Sequence, residues 1–98
     1  MELTRYQKLA ARTIPQGGSH VRNLLNFCLG LSGESGELID HVKKAVFHGH
    51  DLNQEYLAKE LGDILWYLAG ISSVLKLDFS VIGDITVSYT HLTLPTKA

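Results

Sequence analysis

The chain has 98 residues, with 9 lysines and arginines against 10 acids, a formal charge of −1 and a single cysteine. That length is one small domain, and the lone cysteine excludes an intramolecular disulfide framework or a cysteine-based zinc site and fits a reducing, cytoplasmic setting. The near-neutral charge excludes the electrostatic footprint of a nucleic-acid or anionic-membrane binder, no apolar run reaches the ~20 residues of a membrane span, and the N-terminus is no signal peptide. Residues 2–13 place Leu3, Tyr6, Leu9 and Ala10 at helical spacing. This predicts a short amphipathic helix that stops near Ile14-Pro15, because the residue before proline avoids helical backbone. Gln16-Gly17-Gly18-Ser19 reads as a loop, with Ser19 as the N-cap of a second helix.

From His20 to about Phe47, Leu24, Phe27, Leu31, Leu38, Val42 and Ala45 recur in steps of three, four and seven, the pattern of one buried helical stripe. His48-Gly49-His50-Asp51 breaks it, and Asp51 or Asn53 caps a third helix that is expected to run to about Leu77. Its stripe is Leu57, Leu61, Ile64, Leu68, Ile71 and Leu75. Asp78 or Ser80 caps a fourth helix beginning DFSVIGDI. After about Val87 the chain has no acid, is rich in threonine, and alternates like a strand with no partner. The expected architecture is all-α, a four-helix-type bundle with two long central antiparallel helices and a truncated fourth. The expected division is a domain over residues 1–86 and a non-native or disordered tail over 87–98.

Only 19% of the residues are charged while 45% are hydrophobic, against the ~25% charged usual in soluble domains. A chain short of charges should keep them on its surface, yet several acids sit beside apolar stripes. At about 100° per residue, Glu34 and Glu37 share one shoulder of the second helix's stripe, and Glu60 and Asp63 share the same shoulder of the third's. Four carboxylates can therefore converge at the rim of the core. Three readings are open: solvated surface, a cluster paired to Lys43, Lys44, Lys59 or Arg22, and a site for a hard divalent cation. Helical di-iron bundles use Glu-x-x-His, whereas both pairs here are all-carboxylate, which favours Mg²⁺ or Mn²⁺. Gly30, Gly33, Gly36, Gly62 and Gly70 fall within helical segments and mark either tight helix packing or room for a ligand. His48-x-His50 and His41 read as solvated more readily than as metal ligands, and Cys28 as a small buried hydrophobe.

GLSGESGELIDHVKK, a short linker and LAKELGDILWYLAGI resemble the MazG-like nucleoside triphosphate pyrophosphohydrolases. This all-α superfamily also includes dCTP pyrophosphatases, dimeric dUTPases and phosphoribosyl-ATP pyrophosphohydrolases. Its signature is Glu-Glu-x-x-Glu followed by Glu-x-x-Asp. Here the first pair reads Gly33-Glu34, so one glutamate is replaced by glycine, as is common in small members. The resemblance covers about residues 2–82.

It implies Mg²⁺-dependent hydrolysis of a nucleoside triphosphate between its α and β phosphates, in nucleotide pool cleaning, by a homodimer or homotetramer. It implies Glu34, Glu37, Glu60 and Asp63 as metal ligands, with Glu37 or Glu34 also orienting or deprotonating the water. Lys59 is the matching phosphate contact or a solvated lysine, Asn26 reads as a nucleotide contact or a surface asparagine, and Trp66 and Tyr67 read as rings that stack on a base or as core aromatics. Family members continue the fourth helix with an asparagine, a lysine and an arginine-tyrosine-proline ending. Here Thr86 stands near the asparagine position and no basic residue follows until Lys97. The ending from about Val87 resembles translated sequencing-library adapter, which makes a catalytically impaired nucleotide- or metal-binding module the alternative.

Overall fold

A computed structural model of the chain describes residues 1–15 and 17–93, with side chains placed up to residue 88. Four helices follow in order, α1 (Leu3–Ala11), α2 (His20–Phe47), α3 (Gln54–Val74) and α4 (Phe79–Thr93), and the described residues contain no strand. The fold is an all-α bundle. Among the described residues no single helix is long and apolar enough to cross a membrane.

The helix starts follow local chemistry. The Ser19 side chain accepts from the Arg22 backbone N–H, and Asn53 Oδ1 accepts from Tyr56 N–H at 3.0 Å, so each satisfies one of the orphan donors of the following helix. Gly17 and Gly18 supply the left-handed φ values of +89° and +82° that turn the chain into α2. At the start of α4, Asp78 Oδ1 accepts from Ser80 N–H at 2.9 Å.

Two helix ends differ from the sequence expectation. The first helix closes at Ala11, where Thr13 and Ile14 fold back onto the carbonyls of Ala10 and Ala11 before Pro15 is reached. The third closes at Val74 and not near Leu77. Lys76 takes a left-handed φ of 58°, while Lys76 N–H and Leu77 N–H bond the carbonyls of Ser73 and Ser72. That is a Schellman stop with lysine in the position glycine usually holds, and nothing in the side-chain pattern announces it. The strand-like alternation after Val87 is not realised up to Thr93, because α4 continues through it; residues 94–98 lie outside the described part.

Contacts along the central pair run in opposite chain directions. His41 meets Tyr56, Gly30 meets Tyr67, and Phe27 meets Gly70, so α2 and α3 are antiparallel. An added Cβ on Gly70 would sit 2.8 Å from the Phe27 ring, and one on Gly30 would overlap the Tyr67 ring. These two glycines therefore set how closely the helices approach.

On its other side α3 packs against α1 and α4 around Ala10, Ala69 and Phe79, with Leu3, Tyr6, Leu65, Trp66 and Ile82 against them. Gln7 ties this corner together. Its Nε2 donates to Leu77 O at 2.8 Å and Ser73 Oγ at 3.2 Å, and its Oε1 accepts Phe79 N–H at 3.0 Å. Because α3 is packed from two directions, its buried line is Glu60, Ala69, Gly70 and Ser72, and not the leucine stripe. Leu61, Leu68 and Leu75 are exposed, as is Val42 of α2. Among the described residues α2 packs on α3 alone. Cys28, expected in the core, is accordingly exposed.

Candidate metal centre

Glu34 and Glu37 stand nearly one turn apart on α2, and Glu60 faces them from α3. The close approach enforced at Gly30 and Gly70 brings the three carboxylates together: one oxygen from each lies within 4.8 Å of the others. They differ in environment. Glu60 is 2% exposed, the most deeply buried large side chain among the described residues, Glu34 is half-buried, and Glu37 is exposed. The helical geometry places Glu60 at the rim of the core. The structure places it inside, because the two-sided packing of α3 turns that face inward.

Oε2 of Glu34 and Oε2 of Glu60 are both buried and have no hydrogen-bond partner. An unpaired buried acceptor costs roughly 1–3 kcal/mol, more for a charged group. Burial, followed by hydrogen bonding and repulsion from Glu60 and Glu37, pushes the Glu34 carboxyl up to about 7. A proton or a cation is needed to offset this concentration of negative charge.

Of the three readings of the acids, solvated surface does not describe Glu60. Ion pairing describes two other acids well. Asp40 is held by Lys44 at 2.9 Å and Lys43 at 3.8 Å, which keeps its carboxyl below the usual range. Asp63, half-buried a turn along from Glu60, is held by Lys59 at 3.0 Å and lies outside the three-carboxylate cluster. For the cluster itself, Lys59 reaches only Glu60 Oε1, at 3.5 Å, from an exposed position. Two buried oxygens therefore remain for a cation, and an all-oxygen donor set suits a hard divalent ion.

The other candidates sit elsewhere. Asn26 is exposed and lines a separate groove on α2 with Arg22, Asn23, Leu25 and Leu29. Trp66 packs on Phe27 at 5.6 Å between ring centroids and donates its Nε1–H to Thr13 Oγ1 at 2.8 Å, anchoring α3 to the end of α1. Tyr67 fits against Gly30 and packs edge-on to Trp66 and Phe27. His48 and His50 are exposed beyond α2, and no histidine joins a possible metal cluster among the described residues.

Two residues beside the centre were not marked by the acidic pattern. His41 and Tyr56 stack across the α2–α3 seam with ring centroids 4.7 Å apart, and His41 Nε2 accepts Asn53 N–H at 3.1 Å. Their signal was present in the spacing: Tyr56 is one turn before Glu60, and His41 two turns after Glu34, on the same faces.

Residues 22–86 match the MazG nucleotide pyrophosphohydrolase domain. The chain belongs to the MazG nucleotide pyrophosphohydrolase family. The MazG match begins in the first turn of α2 and ends in α4, so it contains the rest of α2, all of α3 and every carboxylate of the centre. The chain is also similar to the Gene 37 protein of Mycobacterium phage L5, with 30% identity over 90 residues, covering 84% of this chain and 79% of that protein. No solved structure matches it. MazG proteins are generally users of divalent metal, and the glutamate cluster is a group of oxygens that could hold one.

Proposed function

We propose that this MazG domain hydrolyses a nucleoside triphosphate at the α–β phosphate bond, giving a nucleoside monophosphate and pyrophosphate, and that it serves to clean the cytoplasmic nucleotide pool. The observation that supports this most strongly is the pair of buried, partnerless oxygens on Glu34 and Glu60 beside the exposed Glu37. Glu34, Glu37 and Glu60 would hold Mg²⁺, or Mn²⁺ by the same ligand chemistry, with Asp63 as the fourth ligand. When bound, the ion neutralises phosphate charge and polarises the phosphoryl group.

The chain's own side chains divide the remaining work. Glu37 is the one cluster member open to solvent, so it is suited to orient the attacking water and take its proton. Glu34, whose carboxyl is pushed up to about 7 by burial and by Glu60 and Glu37, would release its proton on binding a cation. Lys59, exposed beside Glu60 and Asp63, is the proposed phosphate contact.

Pyrophosphate release over canonical and modified triphosphates with Mg²⁺ tests the reading. Turnover that Glu37→Gln abolishes supports it, and turnover unchanged in that variant removes Glu37 from the chemistry. A second reading, a nucleotide- or metal-binding module without hydrolysis, is favoured by the absence of any lysine or arginine between Lys76 and Lys97. Thermal stabilisation by nucleotide without product would select it.

The assembly proposed is a homodimer or homotetramer. Val21, Leu25 and Leu29, and further along Ile39, Val46 and Phe47, leave apolar surface on a helix that packs on α3 alone among the described residues. Size measurement by light scattering, with Phe47→Glu as the dissociating variant, tests it.

A further inference from the structure

Between α2 and the first turn of α3 runs an open groove of ≈ 510 Å³, lined by Gly33, Gly36, Glu37, Asp40, His41 and Lys44 on one side and Tyr56 on the other. Glu37 belongs both to this groove and to the carboxylate cluster, so an occupant of the groove lies against the metal-holding oxygens. The two glycines keep it open. A Cβ added to Gly33 or Gly36 meets nothing within 4 Å, in contrast to Gly30 on the same helix. Packing does not require glycine at either position, and each destabilises the helix relative to alanine.

Where the two sides meet, the groove is aromatic and fixed. His41 and Tyr56 stack at 4.7 Å with an interplanar angle of 34°. His41 Nε2 accepts the Asn53 N–H, so the start of α3 holds the plane of the imidazole.

The charges decide what such a groove can take. Lys44 is neutralised by Asp40 at 2.9 Å, leaving the negative charge of Glu37. A phosphate would be repelled here and belongs at the cluster with its cation. A flat, uncharged, hydrogen-bonding group with a π-face fits, and a nucleotide carries one on the sugar that bears its phosphates.

We propose that this groove holds the nucleoside half of the substrate, with the base against the Tyr56–His41 wall, and that these two residues set base preference. The proposal rests on the hydrolysis reading. Kinetics of pyrophosphate release with Mg²⁺ are measured over the canonical ribo- and deoxyribonucleoside triphosphates for wild type, Tyr56→Ala, Tyr56→Phe and Gly36→Leu. Gly36→Leu places a side chain into open space on a helix, so it blocks the groove while keeping the fold, which helicity and melting confirm.

Tyr56→Ala and Gly36→Leu are expected to raise KM roughly tenfold with kcat within about twofold, and to flatten the ranking of bases. Tyr56→Phe, which keeps the ring, is expected to retain wild-type KM. Unchanged KM in folded Tyr56→Ala and Gly36→Leu overturns the proposal. If wild type turns over no triphosphate, the hydrolysis reading alone fails, and calorimetric titration of an uncharged nucleoside into the metal-free protein tests the groove. Binding that Gly36→Leu abolishes supports the groove assignment. No binding, or equal binding of inorganic phosphate, overturns it.

Discussion

Glu34 of α2 and Glu60 of α3 turn their carboxyls toward each other across the helix seam, and each keeps one buried oxygen without a hydrogen-bond partner. Folded Glu34 holds its proton up to about pH 7, whereas the unfolded chain releases it near 4.5. Between those values the folded state binds more protons than the unfolded one, so the metal-free protein loses stability as pH rises through the window. Melting in chelator at stepped pH is expected to show Tm falling from about pH 4.5 to about pH 7. Saturating Mg²⁺ is expected to restore Tm most at the upper end. A level or rising Tm across that window in chelator contradicts this account.

Glu60→Gln removes one negative charge from the buried cluster at nearly constant volume, and its amide can donate to Glu34. The variant is expected to be more stable than wild type without metal, by on the order of 1 kcal/mol in chemical denaturation. It is also expected to lose the Tm gain on adding Mg²⁺, the signature of a residue kept for binding at a cost in stability. A variant that is less stable in chelator and still gains on Mg²⁺ addition would contradict both roles.

The glycines of the central pair divide by what lies above them. Gly30→Ala forces a methyl into the Tyr67 ring and is expected to destabilise by roughly 1–3 kcal/mol. Gly62→Ala, on α3 with nothing within 4 Å, is expected to stabilise by up to about 1 kcal/mol through helix propensity alone. Denaturant midpoints of the two variants should move in opposite directions.

Gln7 joins three elements through one amide, and its Oε1 is the acceptor for the first N–H of α4. Gln7→Ala leaves that part-buried donor and the Leu77 carbonyl without it, and a loss of roughly 1–3 kcal/mol is expected. Hydrogen exchange should report the weakening at the α3–α4 turn and leave the α2–α3 pair protected.

Much of this molecule was legible in its sequence because its helices announce themselves locally. Ser19 and Asn53 are caps that act on their own following turns, and the bounds of α2 follow from them and from the His48-Gly49 break. The convergence of Glu34, Glu37 and Glu60 followed from periodicity on two helices joined by a short loop. The burial of Glu60 did not, because it depends on α3 being packed from two sides, which no single-helix projection contains. The same cause exposes Leu61 and Leu68. Asp63 shares the projected face of Glu60, but a projection carries no information about Lys59, four residues earlier, reaching it first. The stop at Lys76 escaped for a different reason: lysine occupies a left-handed backbone position for which its side chain gives no sign.

That α2 packs on α3 alone among the described residues has a bearing on how the protein forms. The centre is closed by neighbours in sequence, Glu37 to Glu60 through one tight connection, while α1 meets α4 only after the chain has returned from residues more than 70 positions away. Short-range closure has the smaller entropic barrier. The acid-bearing hairpin is thus the segment expected to assemble first, before the corner that stabilises it exists. Its negative charges are brought together early, so divalent ions can act on the folding reaction as well as on the finished protein, raising the refolding rate and not merely slowing unfolding.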